Sequence, residues 1–208
     1  MCPVTFYLIL INAALFFVAV FTGGFTINNL IRLGGLVPSY VIVQKEYYRI
    51  LLSMFLHGST IHFLMNMVAL YYLGTVMERT MGHIRYLALY FITGIGAGVM
   101  IVLFGARNDL TVGASAALYG IMAGLFYITL RKPRWFNPAG VRAIRIMTLI
   151  NFGITFLFPN ISIIGHLSGF VLGFLLCLVL MPDKPDFLKD NRGKQYYDVP
   201  KDDDDTVA

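Results

Sequence analysis

Thr111-Val112-Gly113-Ala114-Ser115-Ala116-Ala117-Leu118-Tyr119-Gly120 leads into an apolar run over residues 114–130. A glycine, a serine and several small residues stand at the head of what reads as a membrane helix. A serine in that position has two readings. It either hydrogen-bonds to its own backbone, the common state of a lone hydroxyl in an apolar helix, or it meets a base and becomes a nucleophile. The choice depends on what else the chain brings to the same depth.

The surrounding sequence sets the solvent. Of 208 residues 58% are hydrophobic and 13% charged, and the mean hydropathy is +0.73. A soluble domain carries about a quarter charged residues, so this composition excludes one. Apolar runs of bilayer-crossing length recur, giving an all-α polytopic bundle. The net charge of +5 is no sign of nucleic-acid binding, because the basic residues gather in particular loops as membrane topology requires. Cys2 and Cys177 stand far apart and read as unpaired thiols. The first apolar run follows Met1-Cys2-Pro3 without a basic flank or a small-residue cleavage pattern, and reads as a retained span.

Six spans are expected, over residues 4–21, 62–77, 86–104, 114–130, 143–158 and 161–181. Several are short for a hydrocarbon core of ~30 Å at ~1.5 Å per residue. Between the first two, residues 25–55 are broken by Gly34, Gly35 and Pro38 yet rich in tyrosine, and predict an interfacial structure lying in the membrane surface. Residues 1–181 form the expected membrane domain. Residues 182–208, with the acidic run from Asp202 to Asp205, form a polar tail expected to be disordered. Of the 16 Lys and Arg, 12 fall in one set of loops and the tail, while Arg32, Lys45, Arg49 and Arg107 fall in the opposite set. That bias predicts a plasma-membrane protein with both termini cytoplasmic.

With the N-terminus inside, spans two, four and six begin at the outer face. His62 opens the second, Ser115 the fourth, and His166 lies one turn into the sixth. Polar side chains at membrane depth are costly and mark function. Ala116, Gly120 and Gly124 recur every four residues, as do Gly165, Gly169 and Gly173. Such rows allow two helices to approach closely and, facing each other, bring Ser115 to His166. The imidazole then serves as general base and acid. No Asp or Glu lies inside an expected span, so the pair reads as a dyad, with Tyr119, one turn below Ser115, packing against the ring. Gly113 precedes a helix start whose first N–H groups lack intrahelical acceptors. The Ser115 N–H is therefore a natural oxyanion donor. His62 and Asn66, spaced i,i+4, share a face and add side-chain donors. Losing one such donor typically removes ~2.7–4 kcal/mol of transition-state stabilisation. His57 reads as a loop support or helix cap and His83 as a loop residue. No metal-site pattern such as H-E-x-x-H occurs.

His57-x4-His62-x3-Asn66, Gly113-Ala114-Ser115-Ala116, and His166 followed by Gly169 and Gly173 together resemble the rhomboid intramembrane serine proteases, in the order and spans of that family. Tyr48-Arg49 and Glu78-Arg79 also resemble loop positions of the family, and the likeness runs from about residue 45 to 174. It implies a six-helix core with an interfacial loop between helices one and two. It also implies cleavage of single-span transmembrane substrates near the outer face of the bilayer, without a cofactor. Ser115 matches the nucleophile, His166 the base, His62 and Asn66 the oxyanion side, and Gly113 and Tyr119 supporting positions. Ala116 stands where glycine is common and Tyr48 where tryptophan is usual; neither removes a reacting group. A catalytically inactive relative that binds or traffics membrane helices is the alternative, and loss of the serine or histidine would mark it. A small transporter would call for an intramembrane acid or repeated broken helices. The oligomeric state is not legible.

Overall fold

The structure, a computed structural model, describes residues 2–158 and 161–188. Those residues form α1 (Pro3–Gly23), three short helices α2 (Ile27–Arg32), α3 (Pro38–Val43) and α4 (Tyr48–Leu52), then α5 (Thr60–Met81) and α6 (His83–Phe104). They continue through α7 (Ser115–Arg131), α8 (Pro138–Leu157) and α9 (Ile163–Leu180). Five of these, α1, α5, α6, α8 and α9, are long and apolar enough to cross a membrane, and α7 is a shorter apolar helix of 17 residues.

Two expectations about the spans change. The second reaches 22 residues and the fifth 20, because hydrophobicity thresholds stop at polar residues that the helices carry through. In α5 the helix continues through a π-helical turn, Leu70–Gly74, to Met81. It thereby takes Glu78 into a span that was expected to hold no acid. Glu78 is 1% exposed and sits at the end remote from Ser115. Its carboxylate accepts from Val4 N at 3.0 Å, Thr5 N at 2.8 Å and Thr5 Oγ1 at 2.7 Å. The anion thus satisfies the open N–H groups of α1 and complements its dipole. His83, read from the sequence as a loop residue, is instead the first residue of α6 and brings Nδ1 within 2.7 Å of the same carboxylate.

The fourth span, α7, stays short for a different reason. Every residue from 117 to 125 is buried, so protein rather than lipid surrounds the helix and its length need not match the bilayer. Its closest partner is α9. Gly169 lies on the Ala116 carbonyl and Gly173 on the backbone of Gly120, each so close that a β-carbon would collide with main chain. Gly124 faces Cys177. The two small-residue rows therefore do face each other, but displaced by one member: Gly165 packs beside Ser162 and Ile101.

Residues 25–55 form a folded layer against this bundle. Thr26 caps α2 by accepting from Asn29 N. Arg49, 5% exposed, donates through Nη1 to the carbonyls of Ile31 at 2.6 Å and Gly35 at 3.0 Å. It also pairs with Glu46 and lies over the rings of Tyr40 and Tyr48. Leu36 and Thr111 exchange backbone hydrogen bonds, and Gly113 N donates to Ser53 O at 2.9 Å. This layer is thus clipped directly to the stretch of chain that enters α7. At the far end, Lys132 Nζ donates to the Asp183 carbonyl, so the first residues after α9 return to the bundle. The acidic run Asp202–Asp205 lies outside the described residues.

Candidate active site

Ser115 is the first residue of α7 and His166 stands in the first turn of α9. Ser162 sets that register by accepting from Gly165 N at 3.1 Å as the N-cap of α9. His166 Nε2 lies 2.9 Å from Ser115 Oγ. The imidazole is 8% exposed, and Tyr119 stacks on it with ring centroids 4.0 Å apart and 19° between planes.

The other ring nitrogen has a partner that sequence reasoning missed. His166 Nδ1 is 2.9 Å from Thr155 Oγ1 of α8. The Thr155 hydroxyl reaches the Asn151 carbonyl at 2.9 Å. Tyr119 Oη reaches the same carbonyl at 2.7 Å and also contacts Thr155 Oγ1. A hydrogen on Nδ1 gives every donor in this cluster an acceptor: Nδ1–H to Thr155, Thr155 and Tyr119 hydroxyls to Asn151, Ser115 hydroxyl to Nε2. A hydrogen on Nε2 would leave the Ser115 hydroxyl without the imidazole as acceptor. A faint signal for Thr155 existed. Thr148 and Thr155, both buried, stand seven apart with Asn151 between them, a polar stripe on one helix face.

His62 approaches from α5. Ser59 caps that helix by accepting from His62 N at 3.1 Å, and Gly58 N approaches His62 Nδ1 at 3.4 Å. That contact leaves the hydrogen on Nε2, which points towards Gly113. Gly113 has φ +130°, a conformation that favours glycine. A β-carbon there would stand 2.9 Å from His62 Nε2 and 3.8 Å from Ser115 Oγ. The absent side chain thus lets the His62 ring come close to the Gly113 backbone, beside the serine oxygen. The Gly113 amide itself is occupied by Ser53. Asn66, 6% exposed, donates from Nδ2 to its own-helix carbonyl at His62, 2.8 Å away, and keeps its second amide hydrogen.

His57 packs edge-on against the rings of His62, at 5.2 Å, and Phe63, at 5.4 Å. Burial pushes its pKa from 6.5 down to about 3, with the adjacent His62 imidazole adding to the effect. The folded state then binds fewer protons at this site than the unfolded state. Stability therefore falls as pH drops from 6.5 towards about 3. Thermal unfolding in detergent is expected to show that decline, and His57→Phe to flatten it. An unchanged slope in the variant would remove His57 as its source.

Fold and site together describe a polytopic helical membrane protein with a serine and a histidine in contact at one end. The Rhomboid domain family matches residues 44–183. RHOMBOID-like protein 4 of Arabidopsis thaliana is 34% identical over 151 residues, covering 72% of this chain and 38% of the relative. Rhomboid protease GluP of Bacillus subtilis (strain 168) is 30% identical over 176 residues, covering 85% of this chain and 34% of the relative. Inactive RHOMBOID-like protein 8 of Arabidopsis thaliana is 30% identical over 146 residues, covering 69% and 41%. The chain belongs to the rhomboid family. It spans little more than a third of the length of the first two relatives, and the family includes both a named protease and a named inactive protein.

Proposed function

We propose that this protein is an intramembrane serine endopeptidase working through a Ser115–His166 dyad, and that its substrates are single-span transmembrane proteins. The 2.9 Å contact between Nε2 and Oγ carries the reading. Ser115 Oγ attacks the scissile carbonyl carbon while His166 Nε2 takes its proton. The carbonyl oxygen becomes an oxyanion on the Gly113 side of Ser115, where His62 Nε2–H, the Ser115 N–H and the second amide hydrogen of Asn66 are the donors. Collapse breaks the peptide C–N bond, and the proton on His166 passes to the departing amine. Water, deprotonated by the same imidazole, then hydrolyses the acyl-enzyme. Helical backbone has its carbonyls bonded internally, so the substrate must unwind locally, and helix-weakening sequence near the cut favours this.

Residues 1–181 are the protease unit and 182–208 its tail. The skew of basic residues supports a cytoplasmic location for both termini and an outer-facing site in the plasma membrane. The existence of an inactive relative raises the alternative of a helix-binding protein; the serine and histidine, both present and in contact, favour catalysis. A mechanism-based serine reagent, such as a fluorophosphonate, is expected to label the purified protein once, with the adduct on Ser115 by mass spectrometry. His166→Ala should suppress labelling. A labelled residue elsewhere, or equal labelling without His166, would overturn the dyad.

A further inference from the structure

The end of the bundle opposite Ser115 holds a groove of about 820 Å3 between the α7–α8 connection and the first turns of α8. That volume lies within the range of small-molecule sites, about 300–1,000 Å3. Among the described residues that line it, three are arginines, Arg134, Arg142 and Arg145, and none is acidic. Arg145 is fixed in place: its Nη2 donates to the Thr129 carbonyl at 2.6 Å and its Nε to Thr129 Oγ1 at 3.3 Å. The guanidinium therefore rests on the last turn of α7 with its remaining donors available to the groove.

The wall is graded along α8. Arg142, Arg145, Ile146 and Leu149 follow at helical spacing on one face, basic first and apolar after. Leu149 is 70% exposed and Ile146 44%. Arg142 to Leu149 spans about 10 Å of helix axis, a step from headgroup level into the hydrocarbon.

We propose that this groove binds an anionic phospholipid, its phosphate held by Arg142 and Arg145 and its acyl chain lying along Ile146 and Leu149. Guanidinium groups grip phosphate oxygens bidentately, and basic pockets at helix ends are suited to anionic headgroups. The competing occupant is the chain's own Asp202–Asp205 run. Aspartates would match the arginines but leave the apolar wall at Ile146 and Leu149 without a partner, so the lipid fits both halves of the groove. The proposal is independent of Ser115 chemistry.

The single tryptophan of the protein, Trp135, stands between the groove residues Arg134 and Phe136 and is an intrinsic reporter. The full chain is reconstituted in vesicles mixing phosphatidylglycerol with phosphatidylcholine, one lipid at a time brominated in its acyl chains. Brominated phosphatidylglycerol is expected to quench Trp135 at a lower mole fraction than brominated phosphatidylcholine. Arg142→Gln and Arg145→Gln should each weaken that preference about fivefold. Equal quenching by the two lipids overturns the proposal, as does a preference that survives both substitutions together. A preference that emerges only when residues 202–205 are changed from Asp to Asn assigns the groove to the tail and overturns it too.

Discussion

Ser115→Ala is expected to abolish cleavage of a labelled single-span substrate, His166→Ala to do the same, and the double variant to be no slower than either single one. On the proposed mechanism the two side chains act on one proton, so removing either should remove the whole function. In serine hydrolases such knock-outs fall roughly a million-fold in kcat without adding up. What remains is the contribution of the oxyanion donors and substrate positioning. Single-turnover kinetics in detergent separate this loss from slow product release. The fold should tolerate the change, because Ser115→Ala deletes one half-buried oxygen and unpairs only Nε2, an effect of about 1 kcal/mol on stability. Cleavage by Ser115→Ala at the wild-type rate would end the dyad reading. Additive losses in the double variant would mean that the two residues act in separate steps.

The parts of this site that could be read from sequence share a cause. Helices that alternate direction across a membrane start at one face in every second span. Polar residues near the starts of spans two, four and six must therefore lie at similar depth, and His62, Ser115 and His166 do. Gly113 was legible as the residue ahead of a helix start whose first N–H groups lack intrahelical acceptors. The structure adds the positive φ and the near contact with the His62 ring. Periodicity marked two small-residue rows able to face each other. It could not reveal their offset, because a row repeating every four residues matches itself equally well one turn along. Only the actual contacts pair Ala116 with Gly169 and Gly120 with Gly173. Glu78 escaped for another reason. A hydropathy boundary treats a carboxylate as the end of a span, whereas here the N–H groups of another helix satisfy it within the last turn of α5. Thr155 was the hardest to see, since a threonine in an apolar helix ordinarily bonds to its own backbone, as Thr155 also does. Its second contact depends on how α8 is rotated against α9, and no local pattern encodes that.

Thr155 is also the residue that most sharply discriminates the proposed chemistry from mere packing. Thr155→Val keeps the shape of the side chain and deletes the acceptor facing His166 Nδ1. In the ground state the loss is modest, because the imidazole is neutral and Tyr119 still stacks on it. When Nε2 takes the serine proton the ring becomes a cation, and the Nδ1–H···Oγ1 bond turns into a charge-assisted one. Hydrogen bonds to charged groups contribute about 1.5–3 kcal/mol, which corresponds to roughly a 10–100-fold fall in kcat. KM should stay near its wild-type value, since Thr155 contacts the imidazole and not the Gly113 side of Ser115. Thr155→Ser, which restores the oxygen, should recover most of the rate. Nitrogen-15 shifts of His166 supply a readout that simple loosening of the bundle would not mimic. Wild type should carry the hydrogen on Nδ1, Thr155→Ser should keep it there, and Thr155→Val should show a mixture of tautomers. A valine variant with wild-type kcat would reduce Thr155 to a packing residue and leave the Tyr119 ring as the sole side chain orienting the base. Equal losses in the valine and serine variants would point to the same conclusion, because the shared change would then be in packing rather than in the hydroxyl.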